Sequence, residues 1–175
     1  KTAMAGGLFH ILNHAMYKGL LFLTAGAVFL RAGTRNLNKL GGLGHTMPWT
    51  MVFFMIGALA IAGVPPFNGF ASKLLIYESV FRFSPFLSII AMVVSILTLA
   101  SFVKVFHSMF LGPPRAEFAA AREVPAPMFI GMAVLAVIVV VAGLMPRPFI
   151  DHLVAPAVNA LVDRSGYIAT ILGGR

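Results

Sequence analysis

"GVPPFNG", residues Gly63–Gly69, interrupts an otherwise apolar stretch that begins near Trp49 and continues to Phe83. Pro65 and Pro66 remove two backbone donors, and Gly63 and Gly69 loosen the chain on either side. At about 1.5 Å per residue, residues 49–83 are too long for one straight crossing of a hydrocarbon core about 30 Å thick. The pattern predicts one crossing made of two half-helices, Trp49–Val64 and Phe67–Phe83, broken inside the membrane. The alternative is a tight re-entrant hairpin. Backbone groups freed by such a break are tolerated where they line a cavity and can bind water or ions.

Apolar runs lie on both sides of this stretch. Residues 3–30 form a first candidate span, residues 85–111 a third that stops at "GPPR", and residues 126–145 a fourth that stops at "MPRP". Each approaches or exceeds the roughly 20 apolar residues that a crossing needs. Residues 149–175 alternate apolar and polar positions and suit an amphipathic helix on the membrane surface or against a partner. The expected fold class is an all-α integral membrane protein. It would have about four transmembrane helices in a membrane unit over residues 1–148, one of them broken at Pro65-Pro66, plus the amphipathic C-terminal segment.

Composition agrees. The chain has 175 residues, 59% hydrophobic and 10% charged, with a mean hydropathy of +0.94. A soluble domain carries about 45–50% apolar and about 25% charged residues. The net charge of +8 comes from 13 Lys and Arg against five Asp and Glu, scattered singly between apolar runs. That scatter fits topology and lipid contact, and argues against nucleic acid as a partner. The absence of Cys excludes a disulfide frame, an iron–sulfur cluster ligated by this chain and a thiolate zinc site.

Charge also suggests orientation. The first link, "RAGTRNLNKLGGLGHTMP", carries Arg31, Arg35 and Lys39, whereas the third balances Arg115 and Arg122 against Glu117 and Glu123. By the positive-inside rule the first link is cytoplasmic, so both chain ends face outward across the inner (cytoplasmic) membrane. The chain opens at Lys1 directly beside a span, with no signal-peptide pattern before it. That start suits a fragment of a longer subunit, a natural half or an incompletely resolved chain.

Ionisable residues within spans are costly, about 2.5–3.5 kcal/mol on insertion scales, and usually face a bundle interior or a water-filled path. "FHILNHAMYK", Phe9–Lys18, holds His10, His14 and Lys18 at steps of four, with Asn13 and Tyr17 beside them. On a helix these three share one stripe, at a spacing that suits proton transfer through an intervening water. One such residue could snorkel or cap a neighbouring helix; three on one face are poorly explained that way. No carboxylate or thiol in the stretch completes a metal site beside the two histidines, and the Lys18 cation opposes one.

Lys73 follows the break by eight residues and is a candidate charge carrier, or else a structural ammonium tied to the freed carbonyls. Asn68 and Ser72 add polar lining. Lys104 and His107 share a face of the third span near its end, where interfacial snorkelling competes with a role in conduction. His45 and His152 read as solvated, and Trp49 as an interfacial anchor.

Together these stretches resemble the antiporter-like subunits shared by respiratory complex I, energy-converting membrane-bound hydrogenases and Mrp-type cation/proton antiporters. "FHILNHAMYKGLLFLTAGAV" looks like that family's His/His/Lys span. "AGVPPFNGFASKLLIYES" looks like its broken helix with a terminal charged residue, and "LTLASFVKVFHSMFLGPP" resembles the span that follows. The likeness covers about Leu8 to Pro114, and implies that the chain corresponds to the last four spans of a longer architecture built from inverted repeats.

What the resemblance implies is an ion-translocating subunit of a multisubunit membrane complex. His10, His14 and Lys18 would relay protons along the membrane mid-plane, with Lys73 ending the line near an exit. Lys104, His107, Asn68, Ser72 and Tyr17 would be possible relay or lining groups. The ions would be H⁺, with Na⁺ as a second candidate. Partners would be the remainder of the subunit or its other half, other membrane subunits, and lipid. No cofactor is expected on this chain; iron–sulfur, nickel–iron or quinone chemistry would sit in partner subunits. The subtype closest to "PPFNGFASK" is hydrogenase-type or Mrp-type. The family's first-repeat Glu–Lys pair and its second broken helix have no counterpart here, so this stretch alone cannot make a complete pump. The reading of another class is a non-conducting membrane scaffold.

Overall fold

The structure is a computed structural model, and it describes residues 2–163 together with Gly166 and Ile168. Helix α1 runs over Thr2–Ala32, α2 over Pro48–Ala62, α3 over Asn68–Phe83, α4 over Pro85–Phe106 and α5 over Ala126–Leu144. Short helices α6, Pro146–Phe149, and α7, Ala155–Val162, follow, joined by a wider π-helical turn at Ile150–Val154. A second such turn, His107–Leu111, extends α4. No strand occurs among the described residues, and the fold is an all-α membrane type.

Among the described residues, three helical stretches are long and apolar enough to cross a membrane: Thr2–Ala32, Pro85–Leu111 and Ala126–Leu144. The 15 residues of α2 and the 16 of α3 are each too short; at about 1.5 Å per residue each covers less than a core about 30 Å thick. Their partners along α1 show how they combine. A Cβ on Gly6 would lie 3.1 Å from Leu75. His10 meets Ser72 and Asn13 meets Asn68. Gly57 packs on Leu21 and Tyr17. Ascending α1 thus descends α3 and then α2 without reversal. The two half-helices follow one another along α1, as a single antiparallel crossing does and a hairpin does not.

The broken pair lies in the middle of the bundle, against α1, α4 and α5. The main core joins Tyr17, Leu20 and Leu21 of α1 to Phe53, Phe54 and Ala58 of α2 and Met132, Ala136 and Val139 of α5. Alpha-helical regularity stops at the break for local reasons. Gly63 takes a left-handed φ of 82°, which side-chain-bearing residues adopt at a cost. From there the Gly63 N–H bonds Ala60 O and the Val64 N–H bonds Leu59 O, each at 3.0 Å, a Schellman ending. The Pro65-Pro66 peptide is cis. Gly143 of α5 packs directly on the backbone of Pro66, Phe67 and Asn68, with no room for a Cβ.

The first and third links meet at one end of the bundle. Arg31 Nη2 donates to Glu123 O at 2.5 Å, and Arg115 Nη2 donates to Asn38 O at 2.6 Å. Glu123 also closes the start of α2. Its Oε1 accepts from the Trp49 and Thr50 N–H groups at 2.7 and 3.2 Å, and its Oε2 accepts from Thr50 Oγ1 at 2.7 Å. The described part of the tail turns back on the bundle, where Val154 and Val158 pack on Phe9. Most of its remaining residues lie outside those described.

Candidate functional site

Helix α1 turns His10, Asn13 and Tyr17 toward the broken pair. Asn13 and Tyr17 are buried and His10 is half-buried. Tyr17 Oη lies 3.4 Å from His10 Nε2, and His10 Nδ1 lies 3.0 Å from Ser72 Oγ. Ser72 Oγ in turn donates to Gly69 O at 3.2 Å. One set of proton positions satisfies all three: Tyr17 donates to Nε2, Nδ1–H donates to Ser72, and Ser72 donates to the carbonyl.

Beside this line, two asparagines bracket the first turn of α3. Asn13 Nδ2 donates to Asn68 O and Asn68 Nδ2 donates to Asn13 Oδ1, both at 3.0 Å. The pairing fixes both amides, because Asn13 Nδ2 needs an acceptor and its Oδ1 must then face a donor. Asn68 Oδ1 is left buried without a partner among the described residues.

His14 is exposed, with its ring centroid 6.0 Å from that of His10 and 5.4 Å from that of Tyr17. Lys18 is half-buried, and its Nζ lies 5.9 Å from the centre of the Phe22 ring. Only His10 of the expected His/His/Lys stripe therefore reaches across to the broken helix.

Lys73 points the other way round α3. Its Nζ donates to Ile61 O at 2.8 Å, to Ala62 O at 3.3 Å and to Ser95 Oγ of α4 at 2.9 Å. The accounting for α2 is then complete at this end. A helix leaves its last four carbonyls without intrahelical partners. Here Val64 and Gly63 N–H groups take those of Leu59 and Ala60, and the Lys73 ammonium takes those of Ile61 and Ala62. Ser95 also bonds the Tyr77 hydroxyl, and Ser88 Oγ donates to Tyr77 O at 3.2 Å. The α3–α4 seam is thus lined by hydroxyls beside the ammonium.

Lys104 and His107 are exposed near the end of α4, nine and twelve residues beyond Ser95, and the structure does not bring them to the break. Glu78 pairs with Arg82 at 3.2 Å on an exposed face. Among the described residues, no cluster of His, Cys, Asp or Glu has the makings of a metal site.

Sequence reasoning assigns no role to Asn13, Ser95, Tyr77 or the Glu123 cap. Asn13 stands three residues from His10, a spacing that shares its buried face. Ser88 and Ser95 stand seven apart in an apolar helix, which places both on one side. Thr98 and Ser101 of the same helix instead return to their own backbone, at Val94 O and Leu97 O. Only the fold separates the two kinds.

Comparison with known proteins places these features. The family described as NADH:quinone oxidoreductase/Mrp antiporter, transmembrane, matches residues 1–98. Hydrogenase-4 component B of Escherichia coli K12 is 40% identical over 155 residues, which cover 82% of this chain and 23% of that protein. The Na⁺/H⁺ antiporter subunit A1 of Staphylococcus saprophyticus is 36% identical over 173 residues, covering 91% of this chain and 22% of that protein. Among solved structures, the Mrp complex from Dietzia sp. DQ12-45-1b aligns with a TM-score of 0.77 and 27% identity, over 84% of this chain and 36% of that one. The chain spans less than a quarter of the length of either curated relative.

Proposed function

The chain belongs to the NADH:quinone oxidoreductase/Mrp antiporter family of transmembrane subunits, and from that premise we propose that it is the proton-handling end of an antiporter-like subunit in a multisubunit membrane complex. The observation that carries this reading is the Lys73 ammonium, held at a helix break by two carbonyls and a hydroxyl. Intramembrane ionisable groups of this kind mark ion pathways, and lysine can gain and lose a proton where arginine cannot. His10 stands on the other side of α3, tied to Ser72 and Tyr17, and supplies a second titratable group. His14, which is exposed, and Lys18, which is half-buried, continue the line along α1.

In this reading the ion is H⁺, with Na⁺ as a counter-ion where the assembly is an antiporter. Driving energy comes from redox chemistry in partner subunits, carried by iron–sulfur, nickel–iron or quinone groups outside this chain, or from an opposing gradient. Relatives of both kinds, a hydrogenase component and an Na⁺/H⁺ antiporter subunit, support keeping both sources open. The chain lies in the cytoplasmic membrane with the Arg31–Lys39 link inside, as its loop charges favour.

One observation favours a rival. Two of the three Lys73 bonds do no more than cap α2, which is what a non-conducting scaffold requires. Transport by the intact complex in sealed proteoliposomes separates the two. His10→Ala and Lys73→Ala complexes that assemble normally should each lose most ion movement. A scaffold would keep it in both.

A further inference from the structure

The Lys73 ammonium has three N–H groups, and all three are used. Two go to carbonyl oxygens, which accept a hydrogen bond and have no proton of their own to pass on. The third goes to Ser95 Oγ at 2.9 Å, a hydroxyl that both accepts and donates. Ser95 is in turn bonded to the Tyr77 hydroxyl, on the same helix as Lys73 and one turn further from the break. Both Ser95 and Tyr77 are half-buried, so the pair leads away from the capped carbonyls along the α3–α4 seam.

We propose that Ser95 and Tyr77 are the route by which a proton leaves Lys73. The inference rests on the reading of Lys73 as a titrating group. In the step, an Nζ–H bond breaks as an Oγ–H bond forms on Ser95. The proton Ser95 already carried passes to Tyr77 Oη, and the Tyr77 phenolic proton passes to water. Lys73 is left as a neutral amine, both hydroxyls are regenerated, and one proton has moved down the seam. Rotation of the two hydroxyls then resets the chain.

An ordinary structural role explains Ser95 less well. Serines within apolar helices commonly bond the carbonyl four residues back, as Ser101 does to Leu97 O at 2.9 Å. Ser95 is directed across the interface to an ammonium and a phenol instead. The contact also answers why two polar α4 side chains seven residues apart both face α3: Ser88 fixes the Tyr77 backbone and Ser95 meets its hydroxyl.

The test uses the intact complex in proteoliposomes, with Lys73→Ala as reference and assembly checked for every variant. Ser95→Ala should lower coupled proton transport about a hundredfold or more, the lower end of what a positioned proton-transfer group contributes. Ser95→Thr, which keeps a hydroxyl, should restore it to within about twofold of wild type on the same scale. Tyr77→Phe leaves the Ser95–Lys73 bond in place and removes the onward acceptor, so it should also lower transport; a purely structural Ser95 would not respond to it. Normal transport in assembled Ser95→Ala, or in Tyr77→Phe should Ser95→Ala fail to assemble, overturns the proposal. If Lys73→Ala itself transports normally, the reading of Lys73 falls and this proposal falls with it. Loss in Lys73→Ala alone overturns only the Ser95 route.

Discussion

Glu123 and Lys73 close the two ends of the same helix. The Glu123 carboxylate accepts the first free N–H groups of α2, those of Trp49 and Thr50, and the Lys73 ammonium donates to its last carbonyls, Ile61 and Ala62. Between them α2 carries no charge at all. Its neighbours thus supply a negative charge at the positive end of the helix dipole and a positive charge at the negative end. Glu123 stands in the link before α5 and Lys73 on α3, so α2 is held by two elements that follow it in sequence.

Removal of the Glu123 cap should therefore loosen α2 from its start. Glu123→Ala is expected to cost about 0.5–2 kcal/mol, the range for lost N-caps. It should speed amide exchange at Trp49 and Thr50 more than at α5. Unchanged exchange at those two amides would mean that the carboxylate is not what holds them.

The asparagine bracket should behave as one unit. Asn13→Ala and Asn68→Ala each leave a buried amide group without its partner, at about 1–3 kcal/mol. The double variant should be milder than the sum. A coupling of about 0.6–1.7 kcal/mol in a thermal or detergent unfolding series is the scale found for hydrogen bonds between membrane helices; additive losses would show that the pair is not made.

At Gly143 the expectation is steric. A methyl group there has to displace the backbone of Pro66–Asn68, and overpacking of this kind costs about 1–3 kcal/mol. Gly143→Ala should lower assembly and thermal stability. Gly131→Ala on the same helix, whose Cβ would come only within 3.9 Å of Leu23, should not. Equal behaviour of the two variants would contradict the close crossing.

Much of this fold is written plainly in the sequence. Two prolines between glycines announce the break, and apolar length announces α1, α4 and α5. The site is less legible, for a geometric reason. Steps of four residues advance about 40° beyond a full turn, so the stripe from His10 through His14 to Lys18 winds off the contact face. Steps of three and seven, to Asn13 and Tyr17, fall about 60° and about 20° short of whole turns and so wind the other way, toward the broken pair. The structure accordingly buries Asn13 and Tyr17 and leaves His14 exposed. Glu123 was hidden differently: beside Arg122 it reads as one more solvated loop charge, and only the fold brings it to Trp49. Lys73 is legible as a charge at a break, whereas its Ser95 partner on α4 is not, because Ser88, Ser95, Thr98 and Ser101 all punctuate that apolar helix and only the fold shows which of them face α3.

The crossing itself is testable. If α2 and α3 form one passage through the membrane, single cysteines at Gly44 and Pro85 should be labelled by impermeant reagents from opposite sides. Labelling of both from the same side would support a hairpin.

If Lys73 works by exchanging its proton, and not merely by holding a charge at the end of α2, a permanent cation in its place should stop transport. Arginine keeps the charge and is effectively never deprotonated, so the most direct measurement is coupled transport by the intact complex carrying Lys73→Arg, beside Lys73→Ala and Lys73→Glu. The Arg and Ala variants should both lose most transport while a titratable Glu retains part of it, with partner redox activity, where present, falling less. Near-normal transport in Lys73→Arg would contradict it, and would leave Lys73 as a fixed cation that caps a helix.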